Sequence, residues 1–161
     1  FSAVRNGLLP CYPEDVRLKK LAARAATMAQ SGQYNFPRLM RRGDVFGARL
    51  ALAEFLNAAL SMLYLLNFRY EPFYKWQFAG AEGLVAMSEA LPYLKDIAAS
   101  STRRDAGAIA RDIEAASALA ISELKLQGLT DAAGDYLEPH AYSIMSKIED
   151  PEIRGLHVME G

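Results

Sequence analysis

Cysteine and histidine are scarce in this chain of 161 residues. The single cysteine, Cys11, excludes an internal disulfide, and the two histidines, His140 and His157, are too far apart for the usual zinc-binding spacings. We therefore predict no metal site within the chain. So low a cysteine content is typical of a protein from the reducing cytoplasm, and we expect a cytoplasmic location.

The motifs of common enzyme active sites are also missing. The sequence has no glycine-rich phosphate loop, no His-Glu-x-x-His, no Gly-x-Ser-x-Gly and no Cys-x-x-Cys. Neither histidine follows a glutamate by three residues, which excludes the paired metal ligands found in some helical bundles. We assign no catalytic residue, and we predict that His140 is a capping or surface residue at the start of its helix.

Positive and negative charges are nearly balanced in this chain. The chain has 18 lysines and arginines against 19 acidic residues, and its net charge of −1 argues against general nucleic-acid binding and against binding to an anionic membrane. Residues 45–66 form a long apolar run, but Arg49, Glu54 and Asn57 interrupt it, so we predict a buried helix instead of a membrane span. Because the chain begins at Phe1, we expect it to be the C-terminal fragment of a larger protein.

No segment alternates apolar and polar residues as a strand does, so every predicted element is a helix. Asp44 is the predicted N-cap of a helix that is apolar almost all round and belongs at the centre of a bundle. A polar loop is predicted over residues 33–43. Helical spacing predicts helices over residues 14–30, 44–67, 84–99 with a kink or break at Pro92, 105–127 closed by Gly128, and from about Pro139 onwards.

These elements predict one all-α domain over residues 1–161, with an irregular lead-in over residues 1–13. Short connections between helices favour antiparallel neighbours. We therefore expect an up-and-down helical bundle of four main helices plus an additional C-terminal helix.

Cations and aromatic rings follow the apolar helix in one short run. Arg69 and Lys75 suit phosphate or carboxylate oxygens, while Tyr70 and Trp76 offer flat faces for a base or a sugar. The alternative is that these rings form a packing corner at the helix end. We take the four residues as candidate substrate- or nucleotide-binding residues.

Two further sets of polar residues are candidates for the same role. Residues 32–44 interleave amide, aromatic and guanidinium groups, which suit polyphosphate and base contacts, although a solvated basic loop has the same composition. Within the apolar helix, polar residues spaced by three and four residues share one face. Their carboxylate either pairs with an arginine from another helix or faces a ligand cavity. The candidates are Tyr34, Asn35 and Arg38 in the first set, and Glu54 and Asn57, together with Ser61, in the second.

Several segments of the chain resemble a known family. They are GQYNFPRLMRRG at residues 32–43, ALAEF at 51–55, LLNFRY at 65–70, KW at 75–76 and EDPEIRGLHVM at 149–159. The chain resembles the helical region called domain of unknown function forty thirty-seven, which follows a nucleotidyltransferase-like domain in bacterial and archaeal proteins. The resemblance implies the four-helix bundle found as the C-terminal half of kanamycin nucleotidyltransferase.

The same resemblance implies a function in two parts. In that superfamily the metal-binding aspartates lie in a Gly-Ser…Asp-x-Asp motif of the N-terminal domain, and this sequence lacks that motif. We therefore expect a substrate- or nucleotide-binding helical domain that is not catalytically self-sufficient. Its expected partners are an N-terminal nucleotidyltransferase domain, with Mg²⁺ and a nucleoside triphosphate in the full-length protein, and a small-molecule substrate. The alternative is a non-catalytic protein-interaction or dimerisation bundle that forms a homodimer.

Overall fold

Helices succeed one another along the chain, and the computed structural model, which describes residues 11–101 and 105–161, contains no strand in these ranges. The prediction of an all-α helical bundle is confirmed. The predicted lead-in over residues 1–13 lies largely outside the described residues. The described α-helices, in chain order, are α1 (Glu14–Met28), α2 (Phe36–Arg41), α3 (Val45–Leu66), α4 (Gln77–Ala81), α5 (Leu91–Ala99), α6 (Ala106–Leu126), α7 (Leu137–Ser146) and α8 (Pro151–Arg154).

A π-helical segment, Ala29–Asn35, joins α1 to α2 without a break, so the prediction of a loop over residues 33–43 is wrong for most of that length. Glycine and proline usually break helices, but Gly32 and Pro37 lie inside helical segments here. A Cβ atom on buried Gly32 would lie 2.3 Å from Cδ2 of Phe55, so glycine lets this segment approach α3 closely. Pro37 lies in the first turn of α2, where the fixed φ of proline fits the helix.

The central helix of the bundle is α3, as predicted, since it packs against α1, α2, α4, α5 and α6. The carboxylate of Asp44 caps it by accepting a hydrogen bond from the Gly47 N–H over 2.8 Å. Its second half, residues 58–66, is buried on every side, whereas its first half leaves Phe46, Leu50 and Glu54 exposed. By length and composition α3 could cross a membrane, but 67% of its most apolar window is buried inside the protein, which identifies it as a core helix.

The second half of the chain packs α5 against α6. The helix predicted from residue 84 begins only at Leu91, after a 3₁₀ turn at Ser88–Ala90, and Pro92 lies in its first turn instead of kinking it. Gly128 follows α6 with a φ of 68°, a left-handed conformation that glycine adopts without strain. The predicted C-terminal end of this helix is therefore confirmed.

The last long helix, α7, packs against α1 and carries a fully buried histidine. His140 is 0% exposed, so its prediction as a capping or surface residue is wrong. Its Nε2 lies 3.1 Å from the carbonyl oxygen of Gly134, and its Nδ1 lies 3.0 Å from Oγ1 of Thr130. Because a carbonyl oxygen only accepts, Nε2 carries the proton and Nδ1 accepts from the threonine hydroxyl. Both ring nitrogens are thus satisfied inside the fold.

Candidate ligand-binding groove

A groove follows the line where α1 meets α3, and three adjoining cavities form it. The middle one, here called the central cavity, has a volume of about 430 Å³. Arg24 and Thr27 line it from α1, and Glu54, Asn57 and Ser61 line it from α3. Glu71 adds a further polar side chain to its wall, and Met159 adds an apolar one.

The three polar residues on α3 are brought together as their spacing predicts. Ser61 is buried and accepts a hydrogen bond from Nε of Arg24 over 2.9 Å, while Glu54 and Asn57 are exposed to the cavity. Between the two alternatives for Glu54, the geometry favours the cavity, because within residues 11–101 and 105–161 this carboxylate forms no ion pair. The arginine that reaches this face bonds the serine instead.

Towards the end of α3 the groove continues into a smaller space of about 150 Å³, here called the basic cavity. Lys20 and Arg24 line it from consecutive turns of α1, and Arg69 lines it from the segment that follows α3. Glu71 is the carboxylate in its wall. Arg24, Ser61 and Glu71 also line the central cavity, so the two cavities adjoin.

Tyr12 also lines the basic cavity, and two neighbouring side chains contact its ring. The ring meets that of Tyr70 edge-on with centroids 4.7 Å apart, and Nζ of Lys20 lies 5.1 Å from its centroid. Burial raises the pKa of the Tyr12 phenol, and the nearby carboxylate of Glu71 raises that pKa further. The phenol therefore keeps its proton well into alkaline solution and can donate a hydrogen bond.

Glu71 is held in place by the helix that follows it. Nε2 of Gln77 donates a hydrogen bond to Oε1 of Glu71 over 3.1 Å, and the backbone carbonyl oxygen of Gln77 accepts one from the Tyr64 hydroxyl over 2.7 Å. Burial, followed by the charge of Glu71, raises the pKa of Tyr64. This network fixes one carboxylate between the central and basic cavities.

The other end of the groove is more apolar and has a volume of about 290 Å³. Leu39, Leu50 and Met159 line it together with Asn35, and Glu54 is shared with the central cavity. The groove therefore runs along α3 and reaches one predicted binding residue from each side of it in the sequence, Asn35 at one end and Arg69 at the other.

The remaining predicted residues lie outside the walls of these three cavities. Lys75 and Trp76 are both exposed and contact each other, with Nζ 5.2 Å from the ring centroid. Arg38 lies over the ring of Tyr34 in the same way, with Cζ 4.7 Å from the centroid. The structure thus places Glu54, Asn57, Asn35 and Arg69 on the groove, Tyr70 behind Tyr12, and these two pairs on the surface.

Four residues of the groove were not predicted from the sequence: Tyr12, Lys20, Arg24 and Glu71. Lys20, Arg24 and Thr27 follow one another at four and three residues, a spacing that puts them on one face of α1. Other charges of α1 have structural roles: Arg17 is buried and bonds Glu14 and the carbonyl oxygen of Leu65. Spacing alone does not tell which charged face of α1 meets α3.

The described part of the chain holds no group of three or more histidine, cysteine, aspartate or glutamate side chains arranged to bind a metal ion. The polar groups that line the groove are instead two separate carboxylates, an amide, hydroxyls and cations. Such a set recognises polar organic molecules by hydrogen bonds and charge.

Fold and site together define an all-helical bundle with an open, polar groove of mixed charge. The model of a family described as Domain of unknown function (DUF4037) matches residues 1–77. That segment includes α1, α3 and every groove residue named above except Met159. No curated protein and no solved structure matches the chain.

Proposed function

We propose that this chain is the substrate-binding helical domain of a nucleotidyltransferase-like protein and that the groove holds its small-molecule substrate or nucleotide. The observation that carries the proposal is that Glu54 and Asn57 line one cavity with Arg24, and that Arg24 and Arg69 line the cavity adjoining it. The match of residues 1–77 to the DUF4037 family agrees with the resemblance drawn from the sequence, and it is that resemblance which suggests a neighbouring nucleotidyltransferase-like domain.

The groove has the groups that such a ligand requires. Glu54 and Asn57 offer oxygens to hydroxyl or amino groups, and Asn57 also offers an amide donor. Arg24 and Arg69 neutralise phosphate or carboxylate oxygens. Electrostatic clamping and positioning are the main demands of phosphoryl and nucleotidyl transfer, so a helical domain that supplies both contributes to the reaction without holding the metal.

The reactive part is proposed to belong to an N-terminal nucleotidyltransferase domain. The Gly-Ser…Asp-x-Asp motif that binds metal in that superfamily is missing from this sequence, so the catalytic Mg²⁺ would be held by the partner domain. The role of the groove is then to hold the nucleotide or the small-molecule substrate next to that centre.

Binding to the 161-residue chain tests this function directly. We expect ATP or CTP with Mg²⁺, titrated calorimetrically, to bind the wild-type chain and to bind Glu54→Gln and Asn57→Ala about tenfold more weakly, since a lost hydrogen bond to a charged group is worth about 1.5–3 kcal/mol. Glu114→Gln, an exposed carboxylate on α6, is the control and should bind as the wild type does. Equal affinity in all three variants would remove the central cavity from nucleotide binding.

A second candidate function, a dimerisation module, is favoured by one observation. Phe46 and Leu50 lie one turn apart on α3 and are 87% and 72% exposed, which is unusual for large apolar side chains on one helix face. If this face pairs two copies, light scattering should give a dimer for the wild type and a monomer for Phe46→Ser/Leu50→Ser. Leu126→Ser, which changes a leucine 81% exposed on α6, should stay dimeric. A wild-type monomer at micromolar concentration contradicts this candidate.

A further inference from the structure

We infer that the basic cavity is a phosphate-binding site and that the ligand of the groove is a phosphomonoester, a small molecule with one terminal phosphate and a body rich in hydroxyl or amino groups. The inference rests on the proposed function only in taking the rest of that molecule to lie in the central cavity. The phosphate site itself stands on the residues of the basic cavity.

The charges of the basic cavity do not cancel. Lys20, Arg24 and Arg69 bring three positive charges, against one negative charge from Glu71. Among the described residues, none of these three cations is in an ion pair with a carboxylate. The excess of two positive charges matches the charge of a phosphomonoester dianion, which is about −1.5 to −2 near neutral pH.

The size of the cavity suits one phosphate group. Its volume of about 150 Å³ corresponds to about five water molecules at about 30 Å³ each, so it has room for a five-atom tetrahedral anion. The larger central cavity, at about 430 Å³, has room for a nucleoside or sugar. The two spaces differ in size in the way that the two parts of a phosphomonoester do.

Three of the four donors of the basic cavity, Lys20, Arg24 and Tyr12, are held in place before a ligand arrives. Arg24 is fixed by its bond to Ser61, which leaves its terminal guanidinium nitrogens for an anion. Lys20 rests over the ring of Tyr12, and Tyr12 rests against Tyr70. The protonated Tyr12 phenol, whose pKa burial and Glu71 raise, adds a neutral donor. Preorganised donors lose less conformational entropy on binding.

The shared wall of the two cavities sets the chemistry of the ligand's body. Arg24, Ser61 and Glu71 line both spaces, so a molecule held by its phosphate continues towards Glu54 and Asn57. A carboxylate and an amide recognise hydroxyl and amino groups, and a carboxylate disfavours a second anion. The class is therefore a phosphorylated sugar or nucleoside with a single anionic end.

The test uses the 161-residue chain with three probes: inorganic phosphate, AMP, and adenosine without phosphate. Binding is followed by calorimetry and by amide chemical-shift changes at low salt. Phosphate and AMP should bind, and Lys20→Gln and Arg69→Gln should each weaken both about tenfold or more. Glu71→Gln should tighten the binding of phosphate and of AMP. It removes the negative charge that repels the phosphate, and it keeps a side-chain oxygen that accepts the hydrogen bond from Gln77. Arg111→Gln, an exposed cation on α6, is the matched control and should change neither.

The possible outcomes separate this inference from the proposed function. Phosphate affinity that is unchanged in both Lys20→Gln and Arg69→Gln, or the absence of phosphate and AMP binding to a folded wild-type chain, overturns the phosphate site. If these two variants weaken phosphate binding while Glu54→Gln leaves AMP and ATP binding unchanged, the phosphate site stands and the central cavity loses its role. If AMP and adenosine bind equally and Glu71→Gln changes neither, the groove recognises the nucleoside alone and the inference fails. Circular dichroism of each variant excludes misfolding as the cause.

Discussion

Nζ of Lys19 donates a hydrogen bond to the backbone carbonyl oxygen of Val158 over 3.2 Å, joining α1 to a segment 139 residues further along the chain. The same ammonium donates to the carbonyl oxygen of Glu160. Lys19 is only 3% exposed, and its burial lowers its pKa. These carbonyl oxygens replace the water that the ammonium has lost, so they hold the final residues against α1, where Met159 forms part of the groove wall.

Lys19→Met should release this segment. Methionine keeps most of the length of the side chain but removes the charged donor, and each hydrogen bond to a charged group is worth about 1.5–3 kcal/mol. We expect amide hydrogen exchange in residues 156–161 to become about tenfold faster or more, with little change in α5 and α6. Hydrogen-exchange mass spectrometry measures this. Lys125→Met, at an exposed position of α6, is the control, and equal exchange in the two variants would show that Lys19 does not anchor the segment.

Gly32→Ala should destabilise the protein although alanine is the better helix former. The added Cβ would lie 2.3 Å from Cδ2 and 2.8 Å from Cε2 of Phe55, whose ring is fully buried, and 3.0 Å from Cγ2 of Ile113. Overpacking of this kind costs about 1–3 kcal/mol. Urea denaturation should show a lower midpoint for Gly32→Ala. Gly83→Ala meets no atom within 4 Å and should unfold as the wild type does; a neutral Gly32→Ala would mean that α3 can move away from this segment.

Helix boundaries were predictable where a local residue determines them. Asp44 caps α3 through its own carboxylate, and Gly128 takes the left-handed conformation that ends α6, so each signal acts within a few residues. The loop predicted over residues 33–43 is helical instead, because glycine at position 32 allows a close contact with the distant Phe55 and because Pro37 lies in the first turn of α2, where proline is tolerated. Glycine marks a loop in one context and a close helix approach in another, and only the position of Phe55 decides between them.

The groove residues also divide into those that local spacing predicts and those that depend on tertiary packing. Glu54 and Asn57 were predictable because their spacing puts them on one face of a helix that is otherwise apolar. Lys20 and Arg24 were not, because α1 carries charges on several faces and tertiary packing decides which of them meets α3. Arg17, for example, is buried beside Leu65 and serves the fold instead.

Thr130→Val should destabilise the protein through the buried histidine of α7. The Thr130 hydroxyl donates to Nδ1 of His140 over 3.0 Å and accepts from the N–H of Ala132 over 3.2 Å, so valine leaves a fully buried ring nitrogen without its partner. An unsatisfied buried polar group costs about 1–3 kcal/mol. Urea denaturation should show this loss for Thr130→Val, whereas Thr130→Ser, which keeps the hydroxyl, should recover most of it. A serine variant as unstable as the valine variant would point to packing of the methyl group instead.

Asp112→Asn should stabilise the protein at neutral pH and lose that effect in acid. Burial raises the pKa of Asp112 above its ordinary value of 3.8, and the charge of Asp96 raises it further, while Arg111 opposes both. The folded state therefore binds the Asp112 proton more readily than the unfolded state, so the free energy of unfolding falls as pH rises from 3.8 through the folded pKa. At pH 7 the ionised carboxylate is a cost that asparagine removes. Because the side chain is only partly buried, we expect a gain below about 1 kcal/mol.

Paired urea denaturation at pH 7 and pH 3.5 measures the effect, since the gain at pH 7 should shrink towards zero at the lower pH, where Asp112 is protonated in much of both states. Asp135→Asn changes the net charge equally at an exposed position and should have little effect at either pH. A gain of equal size at both pH values would assign it to helix propensity or packing instead of charge. A loss of stability at pH 7 would mean that the attraction of Arg111 outweighs the burial of the carboxylate and the repulsion of Asp96.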